Sequence, residues 1–212
     1  MYDGTNKKKC VHGSEPGGRD MENRMLLVQA LDERDLLVKK IMDRTEDAQF
    51  VDCRKPRAVN GWKSRLPLDV FEKEAKRQLQ QIQDLIRRYD RINEAITICN
   101  ASTMIDTSRG RMPLSCVITL RNRLRGNGPY GSAGDFEGAL IRRIRTAYQD
   151  MQESLDDING LSEGKARQQA QLCDPLHILG RAQRIGEEKE ALLMELEMKI
   201  KVANATTYLN VE

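Results

Sequence analysis

The side chains best suited to chemistry are few and scattered. His12 and His177 are the only histidines among 212 residues, and a metal site on a helix needs two such ligands three or four residues apart on one face. Cys10-Val11-His12 could clasp a metal, but it falls short of the three or four ligands that a zinc site takes. His177, near the start of a helical stretch, reads as a capping or packing residue. The run Gly126-Asn127-Gly128-Pro129-Tyr130-Gly131, with Gly134 beyond it, invites a phosphate-binding reading. A P-loop needs Gly-Lys-Ser/Thr leading from a buried strand into a helix. No lysine follows here and no strand is expected before it, so the run reads as a loop. Asp156-Asp157 and Glu187-Glu188 are adjacent pairs, which point apart on a helix and read as a solvated face. No catalytic, cofactor-binding or metal-ligating set emerges. The expectation is a protein that is not an enzyme and carries no cofactor.

Charge patterning gives the stronger signal. Between Arg109 and Arg145 stand eight arginines (109, 111, 121, 123, 125, 142, 143 and 145) against Asp135 and Glu137, a balance of +6. Residues 150 to 163 carry five acids and no base, a balance of −5. The blocks could attract each other across a subunit interface and so select pairing and orientation. Alternatively, Arg121, Arg123, Arg125, Arg142, Arg143 and Arg145 form a candidate polyanion-binding set, because guanidinium grips phosphate in bidentate fashion. The plain alternative is a charged exterior with local salt bridges. The use of Arg rather than Lys favours an interface or a phosphate site over simple solubility.

The elements that must carry these residues are helical. Charged residues make up 32% of the chain, hydrophobic ones 39% and aromatics 4%, a balance that suits long amphipathic helices and disfavours a sandwich or barrel. The net charge of +3 is too small for a dedicated polyanion binder, so any nucleic-acid case rests on local patches. There is no apolar run of about 18 residues to span a membrane. Lys7 to Lys9 lead into a polar stretch where a secretory signal needs an apolar one. Five scattered cysteines, an odd number, suit reduced thiols in the cytoplasm, with Cys99 a small core residue.

Residues 1–20 have almost no aliphatic content and are expected to form a flexible tail, leaving 21–212 as a single helical domain. Leu27, Leu31, Val38 and Ile41 predict a first helix from about Met21 to Ala48. A long loop, 49–67, carries Pro56, Trp62 and Pro67. Asp69 is the expected N-cap of a second helix, in which Ala75, Leu79, Ile82, Ile86, Tyr89, Asn93 and Ile96 form a heptad seam. At ~1.5 Å per residue this helix is ~48 Å long, against ~44 Å across a compact globule of this size. The expected architecture is therefore all-α: an elongated antiparallel bundle of coiled-coil hairpins, with room for one or two very short strands. Asn93 in the seam either fixes register or bonds a nearby loop. Met104 and Ile105 can form a short extended piece. A third apolar stretch begins at Leu114, and a glycine-rich loop spans 126–138. Helix resumes from Ala139 to Ile158, and a last helix starts at the Asp174-Pro175 cap and carries Ile185, Leu192, Leu196 and Ile200. The end from Thr206 to Val211 looks extended.

Three segments carry a resemblance. They are Ala30-Leu31-Asp32-Glu33-Arg34-Asp35-Leu36, then Leu85-Ile86-Arg87-Arg88-Tyr89-Asp90-Arg91-Ile92-Asn93-Glu94-Ala95, and the ending Ile200-Lys201-Val202-Ala203-Asn204-Ala205-Thr206-Thr207. In this order they resemble the septicolysin-like family of small bacterial helical proteins, over most of Met21 to Glu212. Asn204-Ala205-Thr206-Thr207 is the most distinctive part. Family members usually begin near the first helix, which makes residues 1–20 an extension here, and the glycine-rich loop departs from their pattern. The resemblance implies a helical bundle that associates with itself.

The leading functional expectation is a non-enzymatic, self-associating helical protein. Its candidate interface comprises the seam residues Leu79, Ile82, Ile86, Tyr89, Asn93 and Ile96 and the last-helix residues Ile185, Leu192, Leu196 and Ile200, joining a homo-oligomer. Nucleic-acid or polyanion binding through the arginine block is the alternative, and membrane activity is suggested only by the family label.

Overall fold

The computed structural model describes residues 11–12, 24–52, 67–160 and 170–211. In chain order the elements are β1 (Val11–His12), β2 (Arg24–Leu26), α1 (Leu27–Asp47), α2 (Leu68–Ser102), β3 (Met104–Thr107), β4 (Gly110–Pro113), α3 (Leu114–Leu124), a 3-10 turn (Ser132–Gly134), α4 (Phe136–Gly160), α5 (Ile178–Thr206) and β5 (Thr207–Asn210). The fold is mostly α-helical, with short strands in two small sheets. The chain divides into two compact units, Met1–Thr103 with Ala203–Glu212, and Met104–Val202. Cys10, Trp62 and most of the expected tail and of the 49–67 loop lie outside the described residues.

In the first unit, α1 and α2 pack against each other. Arg88 Nε donates to Glu33 at 2.9 Å and the Gln49 amide donates to the Gln78 side chain at 3.0 Å, so the two helices run antiparallel. Helix α1 starts at Leu27 rather than near Met21 because residues 24–26 are spent on a strand. The extended end of the chain is β5, the central strand of the order β1-β5-β2, antiparallel to both neighbours. Thr207 and Leu209 are buried and Tyr208 and Asn210 exposed, the period of two expected of a strand with one covered face. The Arg24 guanidinium stacks over the Tyr208 ring at 5.0 Å.

Two details of α2 differ from the sequence reading. Asp69 is not its N-cap: Pro67 holds that position in extended conformation, its carbonyl accepts the Phe71 amide at 2.9 Å, and the helix begins at Leu68. Asp69 instead sits in the first turn, where a carboxylate suits the positive end of the helix. The covered stripe is also turned. Ala75, Ile82, Tyr89 and Ile96 belong to it as expected, but the intervening positions are Gln78, Leu85, Ile92 and Cys99 rather than Leu79, Ile86 and Asn93. Asn93 is exposed, and its backbone carbonyl accepts a further hydrogen bond from Thr97 Oγ1 at 2.8 Å.

The second unit opens with the β3–β4 hairpin, whose register pairs Thr107 with Gly110 around a two-residue loop. Helix α3 buries Leu114, Val117 and Leu124. The chain then turns sharply at Gly126, where φ is +71° and a Cβ would stand 3.2 Å from Ser132 Cα, so glycine is required there. Helix α4 begins at Phe136, inside the expected 126–138 loop, because Asp135 caps it: Oδ1 accepts the Gly138 amide at 3.0 Å. Helix α5 starts at Ile178, later than expected. Residues 175–177 form a turn, and both Asp174 carboxylate oxygens accept the Ile178 amide at 3.0 Å. His177 is exposed with φ +49°, and its carbonyl accepts the Arg181 amide.

The turned stripe on α2 can be measured. Ile92 is 0% exposed, so Ile92→Ala is expected to cost about 3 kcal/mol in urea unfolding, whereas Asn93→Ala is expected to stay within about 0.5 kcal/mol.

Candidate functional site

The densest charged cluster lies where α3, the glycine-rich turn and α4 meet. Arg123 donates from both terminal nitrogens to the two Glu137 carboxylate oxygens, each at 2.8 Å, and also reaches the Gly134 carbonyl at 3.4 Å. Its guanidinium lies 5.3 Å from the Phe136 ring centre. Only about a quarter of either charged side chain is exposed, 26% for Arg123 and 25% for Glu137. The bidentate hydrogen bonds from Arg123 hold the Glu137 carboxyl down to about 2 against the opposing effect of burial.

Neighbouring groups extend the cluster. Burial pushes Asp135 upward, but Lys189 Nζ at 2.7 Å and the Gly138 amide outweigh it and leave the carboxyl below its ordinary value. Arg125 pairs with Glu197 of α5. Glu195 accepts from the Ser108 hydroxyl at 2.5 Å and from its amide at 2.8 Å, and these bonds lower its pKa.

The arginine block is therefore divided. Arg121 is bound to Asn122 at 2.7 Å, and Arg123 and Arg125 are committed to carboxylates of the same chain. Arg111 lies 3.9 Å from Asp106. Arg142, Arg143 and Arg145, on α4, are exposed and form no ion pair among the described residues. The same holds for Asp150, Glu153, Asp156 and Asp157 at the other end of α4. Sequence reasoning does not find Glu197 as a neutraliser of Arg125, because 72 residues separate them.

Helix α4 is itself unusual. None of its 25 residues is buried, yet its apolar side chains recur at helical spacing. Leu140, Met151 and Ile158 are 49%, 56% and 53% exposed. An apolar cleft of about 290 Å³ opens beside it, lined by Ile144, Ala147, Tyr148 and Met151 of α4 and by Leu172, Cys173 and Ile178, with Arg143 and Asp174.

Of the candidate interface residues, Ile82, Ile96, Leu192, Leu196 and Ile200 are buried within this chain. Tyr89 and Ile185 are half-buried, and Leu79, Ile86 and Asn93 are exposed. Among the described residues no three His, Cys, Asp or Glu side chains converge as a metal site requires. Cys116 and Cys173 are exposed thiols outside any disulfide, and Cys99 is buried, its sulfur 3.7 Å from Thr103 Oγ1. No described helix is long and apolar enough to cross a membrane.

No protein-family model, curated protein or solved structure matches this chain.

The Glu137 carboxyl gives a pH test. Its pKa is depressed from 4.5 to about 2, so its contribution to stability is complete above pH 4.5 and drains away as the pH falls towards about 2. Glu137→Gln is expected to lower stability at neutral pH by about 1–2 kcal/mol. That difference should shrink steadily in unfolding curves taken at successively lower pH.

Proposed function

We propose that this chain is a non-enzymatic helical protein that acts by associating with copies of itself. The observation that carries this reading is α4, whose 25 residues include none that is buried although Leu140, Ile144, Met151, Leu155 and Ile158 follow helical spacing. A helix that wide in apolar side chains gains most of its stability from what covers that face. Leu79 and Ile86 leave a second apolar line open on α2. The resemblance to the septicolysin-like family points the same way.

A second reading rests on Arg142, Arg143 and Arg145, which are exposed and have no acidic partner among the described residues. Three guanidinium groups within one turn of helix suit a polyanion such as RNA or DNA.

Light scattering at micromolar concentration should find more than one copy per particle, and a strict monomer would refute the first reading. Leu140→Asp and Met151→Asp replace exposed side chains, so each variant should keep its helical circular dichroism while association weakens about tenfold or more. For the second reading, labelled RNA or DNA titrated at low salt should bind, with a slope against salt concentration that falls when the three arginines are changed to Ala. Absence of binding at low salt disposes of it.

A further inference from the structure

We infer that α4 is the self-association surface and pairs antiparallel with α4 of a second copy, the two-fold axis passing beside Ala147. This rests on the self-association reading and adds which helix is used, and in which direction.

Leu140, Ala147, Met151 and Ile158 are separated by steps of seven, four and seven, which places them on one face of a helix. Ala147 is at the middle of that face, where a small side chain lets two helices approach closely. Along one edge of the face, again at steps of seven, stand Arg143, Asp150 and Asp157. All three are exposed and none is ion-paired among the described residues.

This edge decides the direction. In a parallel pair in register this edge lies against the opposite edge of the partner helix, where Ile141, Tyr148 and Leu155 stand at steps of seven and offer no charge to Arg143, Asp150 or Asp157. In an antiparallel pair the edge meets its own reverse. Around Ala147, Arg143 of each copy then comes within reach of Asp150 of the partner subunit, and symmetry makes the contact twice. The apolar face reads almost the same in both directions: Leu140 falls beside Leu155 of the partner subunit, and Ile144 beside Met151 of the partner subunit. The cleft that Ile144, Ala147 and Tyr148 form with Leu172, Cys173 and Ile178 of the same chain lies at the same level, and its open side receives apolar side chains from the second copy. A second copy is the occupant because the reversed helix supplies both the matching apolar spacing and the opposite charges.

The test uses two charge reversals, R143E and D150R, in the full chain and followed by light scattering. R143E sets acid against acid, and D150R sets cation against cation. Each variant alone is expected to self-associate about tenfold more weakly than the parent. An equimolar mixture is expected to recover association. There the two substituted positions face each other with opposite charge, while one original Arg143–Asp150 contact survives. Recovery on mixing also shows that neither variant lost association by failing to fold. If the parent associates but the variants associate as strongly, or the mixture does not recover, the α4 pairing is wrong and self-association stands by another surface. If the parent is a monomer, both readings fall.

Discussion

Arg123 and Glu137 meet in two parallel N–H···O contacts at 2.8 Å, and the geometry of the second unit hangs on that meeting. Drawing two charges partly out of water is costly even with about a quarter of each side chain still exposed, and each member of the pair offsets that cost for the other. The bidentate fit, the Gly134 carbonyl and the Phe136 ring supply what the lost water did. Because the pair joins α3 to the first turn of α4 across a glycine-rich turn, it sets the direction in which α4 departs. Asp135, two residues before Glu137, then does double duty: it caps α4 through the Gly138 amide and grips Lys189 of α5. One charged knot thus orients two helices that share little apolar packing.

Such packing is scarce elsewhere too. A helix buries its stripe only against something long enough to cover it. The 35 residues of α2 face a 21-residue α1, and α4 has no buried residue at all. The lysines, arginines and carboxylates that fill 32% of the chain occupy much of the remaining surface of these helices.

Helices α1, α2, α4 and α5 are legible in the sequence because each carries a helical period over several turns. So are the apolar stretch holding Val117 and Leu124, the extended end at 206–211, and Cys99 as a core residue. Element edges are not legible where a side chain takes a role that periodicity does not encode. Asp135 looks like one of several loop residues until its carboxylate is seen on the Gly138 amide. Residues 24–26 look like a first helical turn until their pairing with 208–210 is known. The α2 stripe is half legible: Ala75, Ile82, Tyr89 and Ile96 lie on it in either register. The flanking choice between Leu79, Ile86, Asn93 and Gln78, Leu85, Ile92 depends on where α1 lies. Hydrophobicity favours the first set, whereas Gln78, satisfied by the Gln49 amide, belongs to the second. The arginine block is visible as a run, but its division into committed and free members is not, since Glu197 reaches Arg125 only through the fold.

The sheet of the first unit also governs how the chain can be made. Strand β2 directly precedes α1, yet its partner β5 ends at Asn210. On the ribosome the early helices emerge while the edge of β2 has nothing to pair with, and the sheet closes only once residue 210 has been synthesised. An unpaired strand edge beside a buried Leu27 is an invitation to wrong partners. The brevity of β2, three residues with Arg24 among them, limits that exposure during the wait.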